Sequence, residues 1–244
     1  EYALTPVLTQ AREKGISVIT LDADVEAGSR SIYISPVDAR ELGKELVREV
    51  DNICGHRGQW GILSAGSRSA NQNEWIFMMK QELQNLKYRD LRLVDIAYGE
   101  GEYEKAVEKA EQMLDAYPDL RVMCCLSTEG IKAAADVVKE RGRASEVKVI
   151  GLGLPDQMEA YVGSAAEDVC PVLYIWNPVD LGRVAGYVCL ELAGGRIEER
   201  GDQELVLGGV TYSMDYGRDG GLEVIAGEPI KVDSENIGYW KDQI

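Results

Sequence analysis

Apolar runs of about five residues alternate with amphipathic stretches along most of the chain, the pattern of strands and helices taken in turn. The helical period predicts helices near Leu4 to Lys14, Val37 to Val50, Asn73 to Leu86, Tyr103 to Ala116, Ile131 to Glu140, Asp156 to Val162 and Val179 to Leu192. Between them, β-branched and aromatic runs predict strands near Ser17 to Leu21, Ser31 to Ile34, Trp60 to Ser64, Arg92 to Ala97, Val122 to Leu126, Val147 to Leu152 and Val169 to Ile175. Such alternation implies an α/β fold with parallel sheets, because each parallel connection needs a crossover helix. From Gly194 onward the pattern changes to short strands and Gly-rich turns, ending in Ile237 to Trp240. The first recognisable element is a helix, and only two strands follow before the turn Gly55 to Gly58. Two strands make a poor independent lobe, so roughly two further βα units are expected ahead of this segment. The chain opens on Glu1 rather than Met, which fits a processed or truncated protein.

Composition narrows the function classes. The 244 residues are 45% hydrophobic, enough for a substantial core. A formal net charge of −16, spread along the helices, argues against nucleic acid as a partner, which would need a basic footprint. No apolar stretch approaches the ~20 residues of a membrane span, and no signal-peptide pattern is present. The five cysteines, Cys54, Cys124, Cys125, Cys170 and Cys189, lack metal-ligand spacing, and Cys124 and Cys125 fall in an apolar strand where a thiol acts as a small hydrophobe. That usage favours the cytoplasm or an anaerobic exterior. His56 is the only histidine, with no nucleophile motif beside it, and nucleophile-elbow, Walker and zinc patterns are absent. Neither a cofactor nor catalysis is expected, and binding without chemistry is the favoured reading.

The candidate chemistry gathers at strand carboxyl ends, where open α/β sheets place their ligands. Ser17 to Asp24 is an apolar strand ending in Asp22 and Asp24. A D-x-D at that place also suits a haloacid-dehalogenase-type phosphatase, but the later strand end Val149 to Leu154 carries no carboxylate to complete a magnesium site. Sugar hydroxyls are the better partners for these acids, since charged acceptors strengthen hydrogen bonds. After the strand near Trp60, Asn71-Gln72-Asn73 supplies three carboxamides that both donate and accept, with Trp75 as an aromatic neighbour, although Asn71 could equally cap a helix. Ser127 and Thr128 close the cysteine-bearing strand, again as caps or ligand contacts. Gly151-Leu152-Gly153 lacks the third glycine of a dinucleotide turn, and Pro155 interrupts it. Trp176 and Asn177 precede Pro178, where the chain reads as a hinge with a ligand-facing aromatic, or as packing.

The order and spacing of these segments resemble the type I periplasmic sugar-binding proteins of the ribose-binding class, with the rhamnose-binding and autoinducer-2-binding branch the nearest in pattern. The residues carrying the resemblance are Pro6 to Asp24, Ile62 to Ile76 with its N-Q-N-E-W-I, Tyr117 to Leu120, Ser127 to Ala135, Gly151 to Pro155, Trp176 to Pro178 and Glu235 to Ile237. The resemblance implies two Rossmann-like lobes with a sugar held between them and delivered to the permease of an ABC importer, by a monomer in the periplasm or lipid-anchored outside the membrane. On it, the first lobe, incomplete here, takes residues 1–53 and 178–200, and the second takes 54–177 and 201–244. Asp22 resembles the family's sugar-binding aspartate. Asn71 and Gln72 resemble a ligand-contacting pair on the second lobe, which is Asp-Gln in autoinducer-2 binders. The Asn favours an aldose such as rhamnose, with autoinducer-2 as the alternative ligand. Leu126 to Thr128 replace that branch's Pro-Asp-Ala, and Gly153 and Trp176 fall at pocket-lining positions. The effector domain of a LacI-type repressor shares the fold and stands as a different class of reading.

Overall fold

The computed structural model describes residues 3–244. In chain order the elements are α1 (Thr5–Glu13), β1 (Ile19–Leu21), β2 (Ile32–Ser35), α2 (Ala39–Cys54), β3 (Gly58–Ser64), α3 (Ala70–Glu82), β4 (Leu91–Tyr98), α4 (Tyr103–Ala116), β5 (Leu120–Cys125), α5 (Thr128–Glu140) and β6 (Lys148–Gly151). They continue with α6 (Pro155–Met158), β7 (Leu173–Ile175), α7 (Pro178–Ala193), β8 (Gln203–Leu207), β9 (Val210–Tyr216), β10 (Leu222–Ile225), β11 (Ile230–Val232) and α8 (Ile237–Trp240). The α/β architecture with parallel sheets agrees with the sequence pattern.

The chain forms two compact units. Of the described residues, the first takes 3–38, 68–71 and 176–229; the second takes 39–67, 72–175 and 230–244. These boundaries differ from the lobes expected from sequence in two respects. The sequence places helix α2 in the first lobe, but its apolar stripe of Leu42, Leu46, Val47 and Val50 is buried, and the helix packs on β3, β5 and β6 of the second unit. The sequence places the tail strands β8 to β10 in the second lobe, yet they complete the first unit's sheet.

That sheet has the order β1-β2-β10-β9-β8. Its first three strands are parallel, with Tyr33 opposite Glu223 in the β2–β10 pair, and β9 and β8 turn antiparallel. A two-residue hairpin makes the reversal: Gly208 and Gly209 both have positive φ, the backbone that a tight primed turn demands. Helix α7 covers this sheet through Leu181, Val184, Ala185 and Val188, which pack with Ile32, Ile34, Leu205, Met214 and Val224. Its start follows from sequence: Asn177 Oδ1 accepts from the backbone N–H of Val179 and Asp180, and Pro178 sits where no amide hydrogen is needed.

The second unit is more regular. Its four parallel strands run β4-β3-β5-β6, and β7 with β11 forms a separate antiparallel pair. Leu63, Met123 and Cys125 pack with Met113 and Leu114 of α4 and with Ile131, Ala134 and Val138 of α5. Alternate strand residues point to opposite faces, so Trp60, Ile62 and Cys124 face the other way, toward the layer of α2. Cys124, Cys125 and Cys170 are fully buried, which pushes their thiols well above the ordinary range and fits their role as small apolar groups. Gly151 ends β6 with φ +135, and a Cβ there would lie 1.8 Å from the Cys125 carbonyl oxygen. Only glycine lets β6 pass β5 at that point.

Candidate functional site

In the first unit, β1 ends at Leu21 and the chain turns sharply. Asp22 takes a left-handed backbone, φ +66, which Asp tolerates better than most residues. Three hydrogen bonds fix the turn. The Asp22 N–H donates to the Ile34 carbonyl at 3.3 Å, the Tyr33 hydroxyl donates to the Asp22 carbonyl at 2.8 Å, and Asn71 Nδ2 donates to the same carbonyl at 3.3 Å. The Asp22 side chain is thus projected beyond the strand end while its main chain is held from three sides. Surrounding protein partly desolvates the carboxyl and raises its pKa above the ordinary carboxylate value. Asn71 belongs with this unit rather than with the second lobe expected from sequence, and it lies beside Asp22 as a second polar group.

Asp24 has a different fate from the ligand contact expected of it: its carboxylate is met within the protein. Its carboxylate is closed by a bidentate pair with Arg30, Nε to Oδ1 and a terminal nitrogen to Oδ2, both at 2.6 Å, while Thr20 Oγ1 donates to Oδ1 at 2.6 Å. The Arg30 and Asp24 side chains are 1% and 8% exposed. The remaining guanidinium donors reach the Leu222 carbonyl and Asp219 Oδ2, each at 2.8 Å, and the group lies 5.5 Å from the Tyr33 ring centroid. Arg30 therefore ties the Asp24 loop to β10 and to the turn before it. Arg30 and Tyr33 were missed in the sequence, although an arginine next to the apolar run Ile32 to Ile34 signals a nearby carboxylate, because buried Arg is rarely left unpaired.

In the second unit, the carboxyl ends of β3, β5 and β6 share one edge of the sheet. Gln72 is buried there, and its Oε1 accepts from Ser64 Oγ at 2.6 Å and from the Ala65 N–H at 2.8 Å. Both lone pairs of the amide oxygen are thereby used. Trp75 is 2% exposed, so its ring has no open face. Ser127 is the N-cap of α5, its Oγ accepting from the Gly130 N–H at 3.1 Å, and Thr128 is that helix's first residue. Gly153 is buried, and a Cβ there would fall 2.6 Å from Ile131 Cγ2, so glycine lets the loop after β6 lie on the first turn of α5. Trp176 packs on the core of the first unit, and Asn177 caps α7. Among the described residues, no group of three or more His, Cys, Asp or Glu could hold a metal ion, and no helix is long and apolar enough to cross a membrane.

Comparison with known proteins identifies the family. Residues 2–197 match the family model described as the periplasmic binding protein domain. The chain belongs to this family. Among solved structures, an ABC transporter solute-binding protein from Clostridium phytofermentas with bound L-rhamnose is 36% identical, with a TM-score of 0.93 over 98% of this chain and 77% of that one. LsrB from Clostridium saccharobutylicum in complex with AI-2 is 19% identical, with a TM-score of 0.82 over 96% and 77%, a likeness of fold alone. A D-ribose/D-allose-binding protein of Pseudomonas aeruginosa is 26% identical over 61% of this chain and 47% of its own length, so the match spans about half of that curated relative. Members of the family work by binding solutes rather than by catalysis, in line with the reading from the residues.

Proposed function

We propose that this chain is part of an extracytoplasmic solute-binding protein that takes a small aldose, rhamnose or a close relative, and hands it to the permease of an ABC importer. The observation that carries the sugar reading is Asp22, a strand-end carboxylate held in a left-handed turn by Tyr33, Asn71 and the Ile34 carbonyl. A charged acceptor with a fixed backbone suits the hydroxyls of a neutral polyol. The 36% likeness to a rhamnose-bound protein supports the choice of sugar. Asn71, Gln72, Ser127, Thr128, Gly153, Trp176 and Asn177 are proposed as further ligand contacts, with Asp24 in support of Asp22 and Trp75 buried on Gln72's helix, rather than in contact. The protein would act as a monomer in the periplasm or tethered outside the membrane.

Thermal melting of the full-length protein with L-rhamnose, ribose, allose, arabinose and autoinducer-2 tests this, because a ligand that binds only the native state raises Tm. L-rhamnose is expected to give the largest shift. Asp22→Ala is expected to weaken sugar binding in calorimetry by at least about tenfold, the scale of one charge-assisted hydrogen bond. A shift with autoinducer-2 alone would transfer the assignment to that ligand. No shift with any sugar, or unchanged affinity in Asp22→Ala, overturns the reading.

A further inference from the structure

The opposite edge of the second unit's sheet, where its strands begin, holds a feature that sugar binding does not use. A cavity of about 500 Å³ opens there, lined among others by Arg57, Arg92, Arg121 and Arg143, with Asp90, Asp119 and Glu146. The parallel register explains the convergence: Gly58 of β3 stands opposite Leu91 of β4, and Gln59 opposite Leu120 of β5, so the first residues of three strands and the turns before them share one rim. Gly58 also keeps the floor low, since a Cβ there would come within 3.2 Å of Arg121 Cγ.

The pairing in this cavity is incomplete. Arg143 bonds Glu146 at 2.9 Å and the Pro118 carbonyl at 2.9 Å, and Asp90 lies 3.7 Å from Arg89. Arg57, Arg92 and Arg121 are exposed and make no side-chain hydrogen bond or ion pair among the described residues. Three arginines therefore line the cavity together with one carboxylate, Asp119, that has no ion pair among the described residues. In a chain of net charge −16, with 42 acids against 26 bases, random surface pairing would neutralise them first. Cations are also common where helices end, because they complement the helix dipole. That accounts for Arg57 and Arg143, which follow the ends of α2 and α5, but not for Arg92 and Arg121, which lie in β4 and β5.

We propose that this cavity is a second ligand site, for a compact multivalent oxyanion bearing phosphate or carboxylate groups. The guanidinium fork pairs two donors with two oxygens of such a group, and three forks around one cavity suit an anion with several oxygens better than a single monovalent ion. The cavity's volume accommodates a diphosphate-sized ligand. Asp119 would set a limit on charge density, favouring an anion with a protonated or hydroxyl oxygen on that side.

The test is calorimetry and thermal melting of the full-length protein in dilute, phosphate-free buffer, with inorganic pyrophosphate as probe and inorganic phosphate beside it. Pyrophosphate is expected to raise Tm and to bind more tightly than phosphate, with an affinity that falls steeply as sodium chloride is added. In R92A/R121A the affinity is expected to drop at least about tenfold. Both arginines are exposed, and an unchanged sugar response in that variant shows that the fold is retained. A wild-type protein indifferent to pyrophosphate overturns the proposal, as does a double variant that binds like wild type. Binding to phosphatidylglycerol vesicles without any response to pyrophosphate overturns it too, and assigns the arginines to a membrane surface.

Discussion

The two units fix their strand ends by opposite means. In the first, the loop after β1 is anchored by charge: Arg30, 1% exposed, spans Asp24, Asp219 and the Leu222 carbonyl. In the second, the segment after β3 is anchored by neutral groups, with the Gln72 carboxamide accepting from Ser64 and Ala65. A buried ion pair gains little net stability, because desolvating two charges offsets most of their attraction, but it is severe when half of it is removed. A neutral amide clamp costs less to bury and less to break. The charged clamp thus holds one geometry tightly, which suits a turn whose first residue, Asp22, is in a left-handed conformation. The neutral clamp fixes a side chain on a regular sheet that already sets its own position.

The sharpest way to break this comparison is Arg30→Ala. It leaves Asp24 buried without its cation and should destabilise the protein by about 3–5 kcal/mol, read from urea unfolding. Gln72→Leu removes the neutral clamp at similar volume, stranding the Ser64 hydroxyl and the Ala65 N–H, and should cost about 1–3 kcal/mol. If Gln72→Leu proved as damaging as Arg30→Ala, charge would not distinguish the two anchors. If Arg30→Ala cost less than about 1 kcal/mol, water or Asp219 would have to be rearranging to solvate Asp24, and the rigidity argued for the first unit would fall.

Much of this was readable in the sequence where local pattern decides the outcome. Tyr103 to Ala116 is predicted and found as one helix with the same ends, and the alternation of periods gives the parallel sheet of the second unit. Assignments that depend on distant partners were not readable. The strand pairing of Tyr33 with Glu223 joins residues far apart in the chain, and nothing in the short, Gly-rich strands after Gly194 says which sheet they complete. Helix α2 has a strong apolar stripe, but periodicity shows that a helix has a buried face and not what covers it. The same limit divides Asp22 from Asp24. Two identical residues two positions apart at a strand end look equivalent until Arg30, six residues on, claims one of them.

Asp22 gives the finest test of the contrast, because its carboxylate has no ion pair among the described residues where that of Asp24 is met. Partial desolvation raises its carboxyl pKa in the folded protein above the unfolded value. A raised folded pKa means that the native state binds the proton more tightly. The resulting stability is fully present in acid below the unfolded carboxylate value and is lost as pH rises through the folded one. Because the residue is exposed, the ionised Asp22 is at neutral pH no more than a slight burden on the fold. Asp22→Asn keeps a residue that tolerates left-handed φ, and leaves the backbone carbonyl that Tyr33 and Asn71 hold. It should raise Tm slightly at pH 7, with the gain shrinking as pH falls into the carboxylate range, while sugar affinity drops because the charged acceptor is gone. A site kept for binding at the expense of the fold predicts those two changes in opposite directions. A variant that lost both stability and affinity would place Asp22 with Asp24, as a residue of the framework.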